Sequence, residues 1–178
     1  MFGKKVEMIA ATISSQHILL MAIFKRAWTA VSVIGISLSA PADAGPFPPI
    51  AFIAMGYKET TLDTLTGSTH YSARLADPAG FLSVTADFNG DGRDDEARIL
   101  SNAAQGDARI VVVIQSPDKV DTYVLNSFAI GALDQIGIRL VPADSRHTLP
   151  GLAIFRFGGQ GEVNRFNGEE FDRMPLQQ

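Results

Sequence analysis

The chain contains no cysteine among its 178 residues. That absence excludes a disulfide scaffold, thiolate zinc sites, iron–sulfur clusters, catalysis by a thiol and a lipid-modified N-terminal cysteine. Charged residues are few, at 19%, while apolar residues make up 46%. This balance is typical of a globular chain and argues against a disordered one.

An excess of positive charge is also missing. The formal net charge is −4, which argues against non-specific binding to nucleic acid. Residues 45–178 alone carry 11 basic and 17 acidic residues, a net charge of −6. An acidic domain of this kind suits solubility and the binding of cations.

Residues 21–44 have the three-part pattern of a secretory signal peptide. Two basic residues are followed by an apolar run over residues 27–38, and small residues end the segment at Ala42 and Ala44. The run is too short to span a bilayer comfortably, which needs about 20 residues. The alternatives are a membrane anchor or an amphipathic helix.

We therefore interpret residues 1–44 as a signal peptide cleaved after Ala44. Residues 1–20 are either an over-extended start before Met21 or a long basic lead. Cleavage predicts a periplasmic or secreted protein with no stable membrane insertion afterwards.

Two regions follow the predicted cleavage point. Residues 45–80 begin with a proline-rich lead-in and continue as a stretch that is ambiguous between helix and loop, with a short helix expected at residues 59–65. Residues 81–178 contain short apolar stretches separated by turn residues, which predicts a β domain.

The fold expected is mainly β, an antiparallel sheet or meander that is sandwich-like or curled, with a short N-terminal helix after the signal peptide. The β-branched run Ile110–Ile114 predicts a central strand buried on both faces. Asn167-Gly168 predicts a type I′ hairpin turn. Strands are expected at residues 81–86, 97–100, 109–115, 122–125, 136–141, 152–157, 162–166 and 170–174.

The strongest chemical motif is the acidic stretch at residues 87–95, which predicts a Ca²⁺ site. Oxygen ligands stand at alternate positions, and Gly92 allows the bend that would fold them around one centre. Ca²⁺ prefers six to eight oxygen ligands in flexible geometry. The alternative is a solvated acidic turn without a metal. The candidate ligands are Asp87, Asn89, Asp91, the carbonyl of Arg93, and Asp95.

The first six residues of this stretch match the D-x-N-x-D-G start of an EF-hand loop, but Arg98 occupies the twelfth position, where an EF-hand has a bidentate glutamate. The stretch resembles the calcium loops of FG-GAP and VCBS-type repeats, which join two strands in secreted and cell-surface β proteins. The resemblance covers about fifteen residues and implies ion binding alone. We expect a structural ion held with modest affinity, on the order of 10⁻⁴ to 10⁻³ M.

Other motifs support weaker hypotheses. Asp94 and Glu96 could act as an acid–base pair with His70 or His147, but the chain has no G-x-S-x-G nucleophile motif. Gly158–Gly161 could bind an anion through its amides, but no Lys-Ser/Thr pair and no helix follow, so the sequence favours a glycine-rich hairpin turn.

The sequence thus predicts a small exported calcium-loop β domain that acts as a binding or structural module of the cell envelope. Its partner would be an envelope or extracellular protein or a glycan. Two alternatives stay open: a hydrolase that uses the acidic cluster or a metal-bound water, and an envelope inhibitor or partner-binding protein with an exposed apolar patch near Gly158–Gly161. No motif specifies a reaction.

Overall fold

The computed structural model describes residues 47–176, so the predicted signal peptide and its cleavage point lie outside the described residues. In this part of the chain, nine strands form two antiparallel sheets, which confirms the prediction of a mainly β fold. The elements are α1 Ile50–Ala54, β1 Lys58–Glu59, a 3₁₀ helix Leu62–Leu65, α2 Tyr71–Arg74, β2 Ser83–Ala86, β3 Asp95–Asn102, β4 Asp107–Ser116, β5 Lys119–Ala129, a 3₁₀ helix Ile130–Gln135, β6 Ile136–Val141, β7 Gly151–Arg156, β8 Gly161–Phe166 and β9 Phe171–Pro175.

The first sheet has the order β1-β3-β4-β5, and β2 pairs with the same edge of β3 as β1 does. Its centre is β4, where Ile110, Val111 and Val112 have no exposed surface. The β-branched run is therefore buried on both faces, as predicted. Between β4 and β5 the register shifts after Ile110, which leaves Leu125 as the extra residue of a bulge.

The second sheet is a meander in chain order, β6-β7-β8-β9. The predicted type I′ turn at Asn167-Gly168 is wrong in detail, because four residues separate the paired Phe166 and Phe171. The side-chain oxygen of Asn167 accepts the amides of Glu169 and Glu170, both at 3.0 Å, and so favours the longer loop.

The main hydrophobic core lies between the two sheets. Every second residue of the facing strands contributes to it, because successive side chains of a strand point to opposite faces. The amide of Ile138 on β6 donates to the carbonyl of Phe81 just before β2, at 2.8 Å, and joins the sheets along one side. The core residues include Leu82, Phe88, Ala97, Ile99, Ile110, Val112, Ile114, Ile138, Leu152 and Ile154.

A smaller apolar cluster covers the other face of the first sheet. Phe52 of α1 and Tyr57 pack on Leu100 and Val111, with Phe47 beside them. The lead-in region thus forms part of the packed domain. The short helix expected at residues 59–65 is realised as the 3₁₀ helix, which follows β1.

A fully buried arginine fastens α2 to the loop between the sheets. The guanidinium of Arg74 donates to the carbonyls of Gly80, Leu133 and Ile136 at 2.8, 2.9 and 2.7 Å. Burial lowers the pKa of Arg74, while the nearby carboxylate of Asp134 acts in the opposite direction. These carbonyls compensate the cost of burying the charge, and they fix the region that carries His70.

Candidate metal-binding loop

The loop at residues 87–95 joins β2 to β3 and is folded around the side chain of Asp87. One carboxylate oxygen of Asp87 accepts the amides of Gly90 and Asp91 at 2.6 and 3.1 Å, and the other accepts the amide of Gly92 at 2.8 Å. Three consecutive backbone donors therefore converge on the first predicted ligand.

The next two predicted ligands repeat the pattern over shorter spans. The side-chain oxygen of Asn89 accepts the amide of Asp91 at 3.0 Å, and a carboxylate oxygen of Asp91 accepts the amide of Arg93 at 2.9 Å. Gly90 and Gly92 have φ of +79° and +82°, a conformation that favours glycine. Each acceptor oxygen has two lone pairs, so a single amide leaves capacity for a cation.

Asp95 closes the loop and is completely buried. Its two carboxylate oxygens accept the amides of Phe88 and Gln115, both at 2.8 Å. Burial raises the pKa of Asp95 to about 6, because the amide bonds only partly offset desolvation and the negative charge of Asp87 adds to it. Asp95 thus links the loop to the end of β4.

The predicted ligands share one short loop, but their carboxylates are not gathered into a ready-made site. Within residues 47–176, no group of three or more Asp, Glu, His or Cys side chains is placed to hold a metal ion. Asp95 is buried, whereas Asp91 and Arg93 are exposed. The donor set of carboxylate, amide and carbonyl oxygens nevertheless fits the chemistry of Ca²⁺, so an ion would have to draw the side chains together.

The loop also touches a second loop, residues 142–150, which connects β6 to β7. The side chain of Leu149 lies directly over Gly90: a Cβ atom at Gly90 would stand 2.8 Å from Cδ2 of Leu149. Side chains essentially never approach so closely, so only glycine fits at this position without displacement of its neighbour. The two loops are therefore in direct contact.

The histidines do not meet the acid–base pair considered for a hydrolase. His70 binds Asp134, with Nδ1 3.2 Å from Oδ2, and its ring stacks on Phe157. Desolvation tends to raise the pKa of Asp134, but its bonds with the amide and ring of His70 help to hold that pKa below the ordinary value. No hydrogen bond among the described residues joins either histidine to Asp94 or Glu96, and Glu96 instead pairs with Arg98 at 2.9 Å.

His147 belongs to a tight turn in the 142–150 loop. Oδ1 of Asp144 accepts the amides of Arg146 and His147 at 2.8 and 2.9 Å, and Nδ1 of His147 lies 3.1 Å from the same oxygen. The amide of Arg146, ahead of the contacts from His147, holds the pKa of Asp144 below its usual range.

Sequence reasoning missed the residue that holds this loop in place. Arg165 of β8 donates to the carbonyls of Leu149 and Pro142, and its guanidinium lies 3.6 Å from Oδ2 of Asp144. Beside it is a cleft of about 750 Å³, which no pattern of spacing predicts because its walls come from three separate stretches of chain. The lining residues include Val141, Asp144, Arg146, His147, Val163, Arg165 and Met174.

The glycines at residues 158–161 form the turn between β7 and β8. The amide of Gly159 donates to the carbonyl of Arg156 at 2.9 Å, and Gly158 has φ of +70°. This geometry is that of a hairpin turn. The exposed large apolar side chains of the described residues lie elsewhere in the sequence: Ile50, Ile53, Met55, Leu75, Val120, Val124 and Leu140.

Comparison with known proteins does not assign a family. No family model, no curated protein and no solved structure matches the chain significantly. None of the helices within residues 47–176 has the length and apolar character needed to cross a membrane.

Proposed function

We propose that the protein is an exported β domain whose 87–95 loop binds one Ca²⁺ ion, and that it acts as a binding or structural module in the periplasm or outside the cell. One observation carries the proposal. Oxygen-bearing side chains occupy alternate positions of the loop, at Asp87, Asn89 and Asp91. Each of them accepts a hydrogen bond from a backbone amide of the same loop.

The ligands would be the side chains of Asp87, Asn89, Asp91 and Asp95, with the carbonyl of Arg93. The amides that donate to the first three orient these side chains. They leave a lone pair free on Oδ2 of Asp87 and on the acceptor oxygens of Asn89 and Asp91. When bound, the ion would neutralise carboxylates that otherwise repel one another across a short loop. Its role would be structural, because it would fix the start of β3 against β2.

The buried carboxylate of Asp95 gives the ion a physical reason to bind. Burial raises the pKa of Asp95, and the negative charge of Asp87 acts in the same direction. A divalent ion nearby would offset the desolvation of that charge. With a dissociation constant of about 10⁻⁴ M, 1 mM Ca²⁺ would stabilise the folded state by about 1.4 kcal/mol. This corresponds to a rise in melting temperature of about 3–6 °C for a domain of this size.

Titration calorimetry and thermal melting of the purified protein with Ca²⁺ test the proposal. We expect saturable heat and the rise in melting temperature in the wild type, and neither in an Asp87→Ala/Asp91→Ala variant. Asp118→Ala is the matched control, because it removes an exposed carboxylate from the turn between β4 and β5. An absence of heat in the wild type, or equal responses in all three proteins, would reject the calcium proposal.

Export has its own test, because the predicted signal peptide lies outside the described residues. The full chain should be recovered from the periplasm or medium with Gly45 at its N-terminus, as read by N-terminal sequencing. Replacing the apolar Ile34 in the run at residues 27–38 with Asp should retain the uncleaved chain inside the cell. Recovery of uncleaved wild-type chain from the cytoplasm alone would contradict export and leave the calcium proposal standing.

A further inference from the structure

The cleft beside Arg165 has an apolar floor. Val141, Val163 and Met174 line it from β6, β8 and β9. The strand register places these residues on the face of the second sheet that points away from the core, since Leu152 and Ile154 on the alternate positions of β7 point inward. A volume of about 750 Å³ lies within the range of sites for small organic ligands.

Arg165 is built into the wall of this cleft. It is 8% exposed and lies across Gly151, where a Cβ atom would stand 2.9 Å from Cγ of Arg165. Its three described partners are the carbonyls of Leu149 and Pro142 and the carboxylate of Asp144. A guanidinium has five N–H donors, so Arg165 retains donors for a further acceptor.

The residues that line the cleft include two arginines and one aspartate. The carboxylate of Asp144 is the acidic group in its lining, and it already accepts two amides and the ring of His147. Arg146 is exposed and forms no ion pair among the described residues. In a neighbouring recess of about 310 Å³, Asp172 lies beside the same arginines and histidine. In the main cleft, the carboxylate of Asp144 is already bonded to its own turn and lies beside Arg165, so Arg146 is the guanidinium without an ion pair among the described lining residues.

We propose that this cleft binds a small carboxylic acid with an apolar body. The carboxylate would accept hydrogen bonds from Arg146 and from the free donors of Arg165, and the apolar body would lie on Val141, Val163 and Met174. Charge-assisted bonds of arginine to carboxylate are short and strong. An acidic protein repels anions in general, so a cationic cleft of this kind selects its ligand by local charge. The site does not require Ca²⁺ in the other loop.

Octanoate is the probe, and its binding is measured by NMR titration of the amides. We expect saturable shifts at Val163, Met174 and His147, which line the cleft, and about tenfold weaker binding for octan-1-ol, which has the same chain without the charge. Arg146→Ala should weaken octanoate binding about tenfold. Arg139→Ala is the matched control, because Arg139 is exposed on the same sheet, stacks over Phe155 and does not line the cleft.

A second variant addresses the apolar floor. Val163→Thr keeps the volume and adds a hydroxyl, so it should weaken octanoate and octan-1-ol by the same factor while the arginines stay in place. The proposal is overturned if octanoate shows no saturable shift at millimolar concentration, or if octan-1-ol binds as tightly. It is also overturned if Arg146→Ala and Arg139→Ala bind alike.

Discussion

Two loops of this protein are ordered in opposite ways. In the 87–95 loop, Asp87, Asn89 and Asp91 accept amides that are at most five residues further along the chain. The 142–150 loop has a local turn at Asp144, but its two ends are fixed by Arg165, which comes from a different strand. Within residues 87–93 the first loop turns on its own side chains, and Asp95 links its end to β4. The second loop depends on Arg165 of the sheet beneath it.

The carboxylates of the two loops differ accordingly. Asp95 is buried, and desolvation raises its pKa, so the folded state tolerates its charge poorly without compensation. Asp144 is exposed, and the amide of Arg146 lowers its pKa, so the folded state favours its charged form. A loop with several carboxylates, one of them buried, suits a cation. A loop whose carboxylate is already bonded, and whose Arg146 has no ion pair among the described residues, suits an anion.

The largest expected loss of stability in the first loop comes from Asp95→Ala. The substitution leaves the amides of Phe88 and Gln115 without their acceptor in a buried position. Two unsatisfied buried donors predict a loss of about 2–5 kcal/mol in the free energy of unfolding, measured by urea denaturation without Ca²⁺. Asp94→Ala is the control, because Asp94 is exposed one residue earlier. Equal effects of the two substitutions would mean that Asp95 does not anchor the loop.

The corresponding change in the second loop is Arg165→Ala. It removes the donor to the carbonyls of Leu149 and Pro142, and we expect a loss of about 2–3 kcal/mol in the free energy of unfolding. Hydrogen exchange should accelerate most within residues 142–150, while the 87–95 loop changes less. Arg156→Ala is the control, because it removes an exposed guanidinium that donates to the side chain of Gln135 at 3.0 Å. Unchanged exchange in the 142–150 loop would refute the role of Arg165.

Local pattern accounts for how much of the fold could be predicted. The β-branched run of β4 and the turn residues on either side of it identify a central strand without any knowledge of its neighbours. The bounds of the strands were harder to predict than their existence. β5 runs over Lys119–Ala129, well beyond the predicted residues 122–125, because an edge strand tolerates polar residues such as Asn126 and Ser127. Asp95 belongs to β3 although its charge suggests a loop.

Contacts between distant residues account for what could not be predicted. Arg74 and Arg165 each hold carbonyls that are far away along the chain. A single arginine produces no period and no motif, so the sequence does not distinguish either residue from an exposed one. The acidic loop could be recognised in the sequence because its candidate ligands lie within nine consecutive residues. The sequence predicted its ligand types, but not that Asp95 would be committed to two buried amides.

A finer comparison uses two glycines of the first loop. Gly90 and Gly92 have nearly equal positive φ, but only Gly90 lies against Leu149. Substitution with alanine should cost about 1 kcal/mol at Gly92 from backbone strain. At Gly90 it should cost about 2 kcal/mol, because the new methyl group also displaces Leu149. Thermal and urea unfolding of both variants measure the difference, and equal losses would show that contact between the loops contributes nothing to stability.

The smallest expected effect is the response of the second loop to acid. Because the folded state lowers the pKa of Asp144, the ionised carboxylate stabilises the folded loop at any pH above the ordinary aspartate value of about 3.9. That contribution is lost as the pH falls through the lowered value, when protonation weakens the bonds to the amides of Arg146 and His147. The amide shifts of these two residues, followed by NMR from pH 6 down to about 2, should therefore show a titration below that of a free aspartate. Asp144→Asn should abolish it, and a transition at the ordinary pKa in the wild type would contradict the hydrogen bonding of this turn.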